Sequence, residues 1–364
     1  MDNLKESFEY FMGIDQHKKF SCVAVVDKEG NLIEDRKLYH TDKREMLNYF
    51  KSFPSDKTKV VLEATGSWYW LADLLESANL NTILAHPYKT RVIAESKIKT
   101  DSIDSRLLAQ LSRVDLIPKS FLAPKEVRSL REELRYRIVL VKIRTSLKCR
   151  IHSLLEREGL NSPCISDLFG KRGLEWLKKI ELPFPLSKSL EGYLYLIEEL
   201  NRLIEEVNRS IKEKVKDSIL ANLLLTIPGI GFFTAHLILC EIVDINRFPT
   251  PKKLSSYIGI VPSIHQSGNF NHIGKITKQG NKYLRWALIE ASYKAILKDG
   301  SLKAFYQRIE QKKGKQKARL AIANKLAHII WAVLKYQQPY RPLREKIYPR
   351  QARQFFSGPD LRAR

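Results

Sequence analysis

Hydrophobic and polar residues follow each other along the first 115 residues in patterns that predict alternating strands and helices. Short apolar runs rich in Val, Ile and Phe predict strands, whereas apolar positions spaced three and four apart predict helices. Strands are predicted at 13–16, 20–26, 32–39, 59–63 and 82–85, and helices at 42–53, 67–77 and 89–114. The chain therefore begins with three strands and then alternates helix and strand.

This order is that of an RNase H-like (RuvC-like) α/β domain. In such a domain the first strand, the fourth strand and the final helix converge at one edge of the sheet. Asp15 lies in the first strand and Glu63 closes the fourth. Asp101 and Asp104 are three residues apart in the last helix, which places both on one helix face. We therefore expect these four carboxylates to lie close together.

Four carboxylates at one place repel one another unless cations lie between them, and hard Mg²⁺ or Mn²⁺ prefers oxygen ligands. A pair of such ions about 3.5–4 Å apart stabilises both the entering and the leaving oxygen of a phosphoryl displacement. A one-metal version remains open. Taken singly, each acid also has a structural interpretation, as a strand-end turn residue, a helix cap or part of a solvated helix face. His17, Lys18 and Lys19 either contact a phosphate or simply occupy a strand end.

Two long helices with apolar stripes are predicted in the middle of the chain, at 126–159 and 190–218. Prolines between them allow the chain to turn back, so we expect an antiparallel helical hairpin, either a coiled coil or part of an ordinary bundle. The predicted organisation is a RuvC-like catalytic domain at 1–115, a helical coiled-coil region at 116–219, a mainly α C-terminal domain at 220–340 and a basic tail at 341–364.

The C-terminal domain contains two candidate phosphate-binding features. The segment 225–231, with Gly229 and Gly231, followed by an apolar helix, matches a helix-hairpin-helix element whose backbone N–H groups can bind a phosphate. A plain turn between two helices is the alternative. Further on, we predict a loop at 262–274 containing Ser267, and then a helix that opens at 277. Cations cluster beside that loop, at Lys275, Lys278, Lys282 and Arg285.

Charge is unevenly distributed along the 364 residues. Residues 1–115 hold 17 Lys and Arg against 18 Asp and Glu, whereas the remainder holds 46 against 22. A near-neutral unit with an acidic cluster followed by a strongly basic one suggests that the first does chemistry and the second holds a polyanion, nucleic acid rather than a membrane surface.

Cysteine spacing and hydropathy indicate the cellular compartment. Cys22, Cys149, Cys164 and Cys240 are scattered without CxxC spacing, which predicts reduced thiols rather than disulfides or a zinc site. No apolar stretch is long enough for a membrane span, and the start lacks a signal core. We expect a cytoplasmic, nucleoid-associated protein.

The ordered motifs resemble one family, the DEDD insertion-sequence transposases related to the Piv/MooV DNA invertases. The resemblance spans residues 11 to about 300 and is carried by Gly13-Ile14-Asp15, Glu63-Ala64-Thr65-Gly66, Lys99-Thr100-Asp101 with Asp104, Pro228-Gly229-Ile230-Gly231, Gln266-Ser267-Gly268 and the segment 274–281. Ser105 departs from the pattern, because the family usually has Ala there.

The resemblance implies a RuvC-like domain whose metal ligands are Asp15, Glu63, Asp101 and Asp104. It also implies that Ser267 is a nucleophile that becomes covalently joined to DNA, and that a structured bridge RNA pairs with target and donor DNA. Ser267 lies more than 160 residues after Asp104, so the serine and the acids of one active site can come from different subunits. We therefore expect a homo-oligomer, a dimer or tetramer, assembled on nucleic acid.

Three functions remain open from the sequence. The first is a transposase or site-specific recombinase that uses the serine and a metal. The second is a RuvC-like metal-dependent nuclease, or junction resolvase, in which water attacks and Ser267 is structural. The third is a non-catalytic nucleic-acid-binding protein with a degenerate acidic site.

Overall fold

The computed structural model describes residues 8–93, 101–163, 165–215, 218–267 and 270–342. At residues 101, 102, 264–267 and 270–273 it describes the backbone alone. The described residues form two compact units, which divide between Lys125 and Glu126.

The first unit contains a mixed sheet with helices on both faces. Its elements are, in order, β1 (Tyr10–Gln16), β2 (Phe20–Asp27), β3 (Leu32–Tyr39), α1 (Lys43–Lys51), β4 (Thr58–Glu63), α2 (Trp68–Ser77), β5 (Asn81–Ala85), α3 (Pro87–Ile93), α4 (Asp101–Arg113) and β6 (Lys119–Ser120). The strand order across the sheet is β3-β2-β1-β4-β5-β6. β1 and β3 run antiparallel to β2, whereas β4 runs parallel to both β1 and β5.

Alternation along the strands builds a separate core on each face of the sheet. One face packs against α1 and α2 and includes Met12, Ile14, Val60, Leu62, Phe50 and Leu71. The other face packs against α4 through Phe11, Val26, Val61, Ala85, Leu108, Ala109 and Leu111. Odd-numbered positions of β1 and β4 therefore face α4, and this fixes the direction in which Asp15 and Glu63 point.

The predicted element order is confirmed, with three differences. The single helix predicted at 89–114 is described as two, α3 and α4, and residues 94–100 between them lie outside the described residues. The two-residue strand β6 was not predicted, because it has no hydrophobic period of its own. β1 begins at Tyr10, three residues before the predicted start.

The second unit is mainly helical. Its elements are α5 (Lys125–Arg157), α6 (Lys171–Leu177), α7 (Leu186–Lys214), α8 (Ile219–Leu225), α9 (Phe232–Ile242), α10 (Pro251–Ile258), β7 (Pro262–Ser267), β8 (Phe270–Ile276), α11 (Lys282–Lys298), α12 (Gly300–Lys313) and α13 (Lys315–Tyr336). The helices from α8 through α13 share one hydrophobic core, which consists mainly of leucine, isoleucine and alanine side chains.

The two long helices α5 and α7 form the predicted antiparallel hairpin. Residues near the start of α5 contact the end of α7, and later residues of α5 contact earlier residues of α7. Lys214 Nζ donates to Glu133 Oε2 at 2.7 Å, and Arg144 Nη1 donates to Asn201 Oδ1 at 2.6 Å. Apolar residues of both helices also pack against Leu237 of α9 and Ala287 of α11. The pair is therefore joined to the remaining helices as in a bundle.

Two local predictions for the C-terminal part are wrong. The loop predicted at 262–274 is the antiparallel hairpin β7–β8, in which Pro262 pairs with Ile276. The helix predicted to open at 277 begins at Lys282, because the Asn281 side chain caps it by accepting from the N–H groups of Tyr283 and Leu284. Lys278 precedes the helix with a φ of 53°.

A buried ionic cluster joins α5, α9 and α11. Glu241 is 1% exposed, and its carboxylate accepts from Arg135 Nε and Nη2 at 2.9 and 3.0 Å and from Asn281 Nδ2 at 2.7 Å. Arg131 Nε donates to the Cys240 carbonyl at 2.7 Å. Since Asn281 also caps α11, the cluster fixes the start of the helix that follows the hairpin.

Among the helices in the described ranges, none combines the length and apolar character needed to cross a bilayer.

Candidate active site

Asp15 and Glu63 occupy neighbouring positions at the carboxyl ends of two adjacent parallel strands. Ile14 of β1 pairs with Leu62 of β4, and each acid is the next residue of its strand. The alternation of side chains places both acids on the face that α4 covers. The Asp15 side chain is 13% exposed, and Glu63 is half-buried. The sheet thus brings these two predicted site residues together.

Helix α4 lies directly on β1 because residue 13 is glycine. A Cβ built on Gly13 would lie 2.1 Å from the Ser105 carbonyl oxygen and 2.5 Å from the Ala109 nitrogen. Ser105 is fully buried, so a small side chain is required there and serine satisfies that requirement as alanine does. This close approach brings the first turn of α4, with Asp104, over the sheet edge that carries the strand acids.

Glu63 and Asp104 line the same cavity, which has a volume of about 350 Å³. Its other walls come from α3 and α4 and include Tyr88, Thr90 and Arg91. Tyr88 and Arg91 are both exposed, so an aromatic ring and a fixed positive charge stand beside two carboxylates. Tyr88 and Arg91 were not predicted from the sequence, although an aromatic and a basic residue three and six positions after the end of β5 are a usable signal for a phosphate contact.

The fourth predicted ligand, Asp101, is the first residue of α4, and its side chain lies outside the description. Within the described side chains, no group of three or more His, Cys, Asp and Glu is arranged to hold a metal ion. The donor chemistry nevertheless fits a hard divalent cation, because the predicted ligands that are described are all carboxylates, carried by β1, β4 and α4 of one unit.

His17 contacts one of these acids. Its Nε2 lies 3.1 Å from Asp15 Oδ2, and its ring packs against Phe20 with centroids 4.7 Å apart. The sequence left two interpretations of His17, a phosphate contact or a strand-end residue. The geometry adds a third, in which the imidazole orients the Asp15 carboxylate.

The second candidate centre is the β7–β8 hairpin. Ser267 is the last residue of β7 and lies opposite Phe270, while His265 lies opposite His272. The nucleophile predicted for a loop is therefore carried at the end of a paired strand. Ser267 as a nucleophile stays a prediction, since its side chain lies outside the description.

The predicted phosphate-binding residues differ in their surroundings. Lys275, Lys278 and Lys282 are exposed. Arg285 instead donates from Nη1 to the Ile258 carbonyl at 2.9 Å, and burial lowers the pKa of its guanidinium. Gly229 has a φ of 87°, and a Cβ there would lie 2.3 Å from the Ala291 carbonyl oxygen, so the turn before α9 packs closely on α11. Its role as a phosphate contact stays a prediction. A Cβ on Gly231 would meet nothing within 4 Å.

An α/β unit with acids gathered at one sheet edge, followed by a strongly basic helical unit, is typical of proteins that act on nucleic acid. Comparison with known protein families gives a narrower result. A DEDD transposase model of IS110 elements, described as "Transposase", matches residues 12–158. A second model, described as "Transposase IS116/IS110/IS902 family", matches residues 221–307. The chain belongs to this IS110/IS116 family of insertion-sequence transposases.

Individual relatives agree with this assignment. The chain is 29% identical over 354 residues to the transposase for insertion sequence element IS1111A of Coxiella burnetii, covering 91% of each protein. It is 25% identical over 342 residues to a "Probable family 20 transposase" of Pseudomonas aeruginosa, covering 91% of this chain and 98% of that protein. It is also 28% identical over 292 residues to the pilin gene-inverting protein of Moraxella bovis, covering 77% of this chain and 81% of the relative.

Proposed function

We propose that this protein is a DNA transposase that cuts and rejoins strands through a metal-dependent DEDD site and a covalent phosphoserine intermediate. In this proposal Asp15, Glu63, Asp101 and Asp104 hold Mg²⁺ or Mn²⁺, and Ser267 is the nucleophile. A bridge RNA supplies the sequence specificity, and the active form is a homo-oligomer assembled on nucleic acid.

The observation that carries the proposal is the convergence of acids at one sheet edge. Asp15 and Glu63 are adjacent across two parallel strands, and Asp104 shares a cavity with Glu63. The order of the first five strands, with β1–β3 antiparallel and β4 and β5 parallel to β1, supports a RuvC-like assignment. If these acids were only part of a solvated surface, the close packing of α4 at Gly13 against the strand that carries Asp15 would not be needed.

The chemical step conserves phosphoester bonds. The Ser267 hydroxyl oxygen forms a bond to phosphorus while the bond from phosphorus to the neighbouring nucleotide oxygen breaks. The serine hydroxyl loses its proton to solvent, and the leaving oxygen takes up a proton and ends as a hydroxyl. Attack by a DNA hydroxyl on the phosphoserine reverses the step and releases the serine, so rejoining needs no ATP. A divalent cation, when bound, polarises the phosphoryl oxygens and stabilises developing negative charge.

The nucleophile is tested by comparing two serines of the same hairpin. Ser267→Ala should abolish a protein–DNA adduct that survives denaturing electrophoresis. Ser263→Ala is the matched control, because the Ser263 hydroxyl donates to the Lys275 carbonyl at 3.1 Å and is not proposed to touch DNA. If the unchanged protein forms no adduct and the Ser267→Ala protein still nicks DNA, the protein is instead a nuclease that uses water.

The metal and the guide are tested separately. Strand cleavage should stop in EDTA and return with Mg²⁺, and Asp104→Asn should remove it while Asp115→Asn, a substitution at an exposed residue that pairs with Lys59, should not. Sequencing of RNA that copurifies with the protein should recover one structured species. A preparation that transposes DNA in the absence of any RNA would contradict guidance.

A further inference from the structure

A basic groove lies between the root of the β7–β8 hairpin and the junction of α12 and α13. Its volume is about 960 Å³. Cations line it from both sides: Lys275 and Lys278 from the hairpin side, and Arg308, Lys312, Lys313 and Lys317 from the helices. No carboxylate lines it among the described residues. The first two lysines are among the phosphate-binding residues predicted from the sequence, and the other four cations are not.

The cations of the groove are available to a ligand. Lys275, Lys278, Lys312, Lys313 and Lys317 are exposed. No salt bridge to a carboxylate is found for them within the described part of the chain. Like charges gathered without counter-ions repel one another, and a polyanion that replaces condensed salt ions relieves this repulsion.

The floor of the groove distinguishes a single strand from a duplex. It is the apolar part of the lining and consists of the exposed Pro262 and the half-buried Ile276, Ile309, Leu320 and Ala321. A duplex presents mainly phosphates on its outer surface, whereas a single strand also exposes sugars and base faces, which an apolar floor can cover. Among the described residues of the lining, Gln316 is the one neutral polar side chain, so these residues offer little to recognise the 2′-hydroxyl that distinguishes RNA from DNA.

The position of the groove connects it to the predicted nucleophile. Pro262 and Ile276 pair at the hairpin root, and Ser267 ends the same strand five residues further on. At a rise of about 3.3 Å per residue this corresponds to roughly 17 Å along β7. A strand held at the root and running along the hairpin would therefore pass Ser267 within a few nucleotides.

We propose that this groove binds the sugar–phosphate backbone of the single DNA strand that is cut and carries that strand toward Ser267. The direction toward Ser267 rests on the proposed function, whereas the binding itself does not. The site is sequence-independent, because its lining combines fixed charge with an apolar floor and lacks aromatic rings for base stacking among the described residues.

The test uses two triple variants of the full chain with equal change in charge. The groove variant replaces Lys312, Lys313 and Lys317 by Gln. The control replaces Lys294, Lys298 and Lys303 by Gln; these lysines are exposed on α11 and α12 and do not line the groove. Both triples should unfold in urea at the same midpoint as the unchanged protein, because all six side chains are exposed.

Binding is measured by fluorescence anisotropy with a 20-nucleotide single-stranded DNA, the corresponding duplex and an RNA hairpin, over a range of salt concentrations. Three lost contacts with a single strand should reduce the slope of log K against log salt by about 2 and the affinity at 0.1 M salt by about 100-fold. The control triple should keep the slope of the unchanged protein. Ser267→Ala should also keep it, so failure of the nucleophile assignment would leave this result intact.

Two outcomes would overturn the proposal. In the first, the groove triple binds single-stranded DNA like the control triple. In the second, the loss is confined to the RNA hairpin or to the duplex, which would assign the groove to that ligand instead.

Discussion

Substitution of Gly13 by Ala tests whether the close approach of α4 to β1 builds the acidic site. The added Cβ would lie 2.1 Å from the Ser105 carbonyl oxygen, 2.5 Å from the Ala109 nitrogen and 2.9 Å from Leu108 Cβ, whereas ordinary contacts begin near 3.4 Å. Since the two nearest atoms belong to the backbone, no rotation of a side chain can relieve the overlap. The Ser105 carbonyl must therefore move by more than about 1 Å.

The expected effect is large for a single methyl group. Over-packing of a well-packed core costs about 1–3 kcal/mol, and we expect the upper end because the obstruction is backbone. The gain of roughly 0.5–1 kcal/mol from the lower chain entropy of alanine does not offset it. Asp104 moves with α4, and a misplacement of about 1 Å in an active site can reduce the rate about 100-fold.

Two measurements check this prediction. Urea unfolding should show the loss of stability, and hydrogen exchange of the peptide covering residues 101–113 should report faster opening of α4. Gly66→Ala is the matched control, because it lies three residues after Glu63 and a Cβ there meets nothing within 4 Å. If Gly13→Ala unfolds and exchanges like Gly66→Ala, the packing argument is wrong.

Two further predictions concern the second unit. Glu241→Gln should lower the free energy of unfolding by about 3 kcal/mol or more in urea titrations, because the buried Arg131 and the half-buried Arg135 lose their counter-charge; Glu199→Gln, on an exposed pair, should leave the midpoint almost unchanged, and equal effects would contradict the argument. Burial, with smaller contributions from Lys325 and Lys252, lowers the pKa of His328 below its usual 6.5. The unfolded chain then binds the extra proton more readily, so stability should fall as the pH drops below about 6.5. His328→Gln should make the urea midpoint less sensitive to pH between 5 and 7.5, and an unchanged pH profile would count against it.

Sequence patterns predicted the first unit well because its elements are defined by local periods. Strands with alternating or continuous apolar residues were readable, and so were the acids that end them, because the fold order alone brings Asp15 next to Glu63. The same approach missed the β7–β8 hairpin, although the Gly-Asn dipeptide at 268–269 between two short runs is a hairpin signal. It also missed the cap at Asn281, whose position before an apolar-periodic segment predicts a helix start.

Local sequence patterns do not predict long-range packing. Glu241 lies in an otherwise apolar helix, and nothing near it in sequence indicates that its partners come from 106 residues upstream and 40 residues downstream. The basic groove is similar, because two of its lysines lie beside the hairpin and the other cations belong to helices about 30 to 40 residues further on. Individual lysines appear in the sequence as ordinary solvated charges, and only the folded chain brings them together.

The separation of charge between the two units has a physical consequence for the reaction. In the proposed reaction a carboxylate cluster would repel the phosphodiester that it cleaves, so attraction of the DNA has to come from cations elsewhere in the chain. Residues 126–364 supply an excess of 22 positive charges, whereas residues 1–125 are near neutral. Binding and chemistry should therefore respond to different conditions. Salt should weaken DNA binding whether or not a metal is present, whereas Asp104→Asn should abolish cleavage without loss of affinity, because it removes a negative charge that opposes binding.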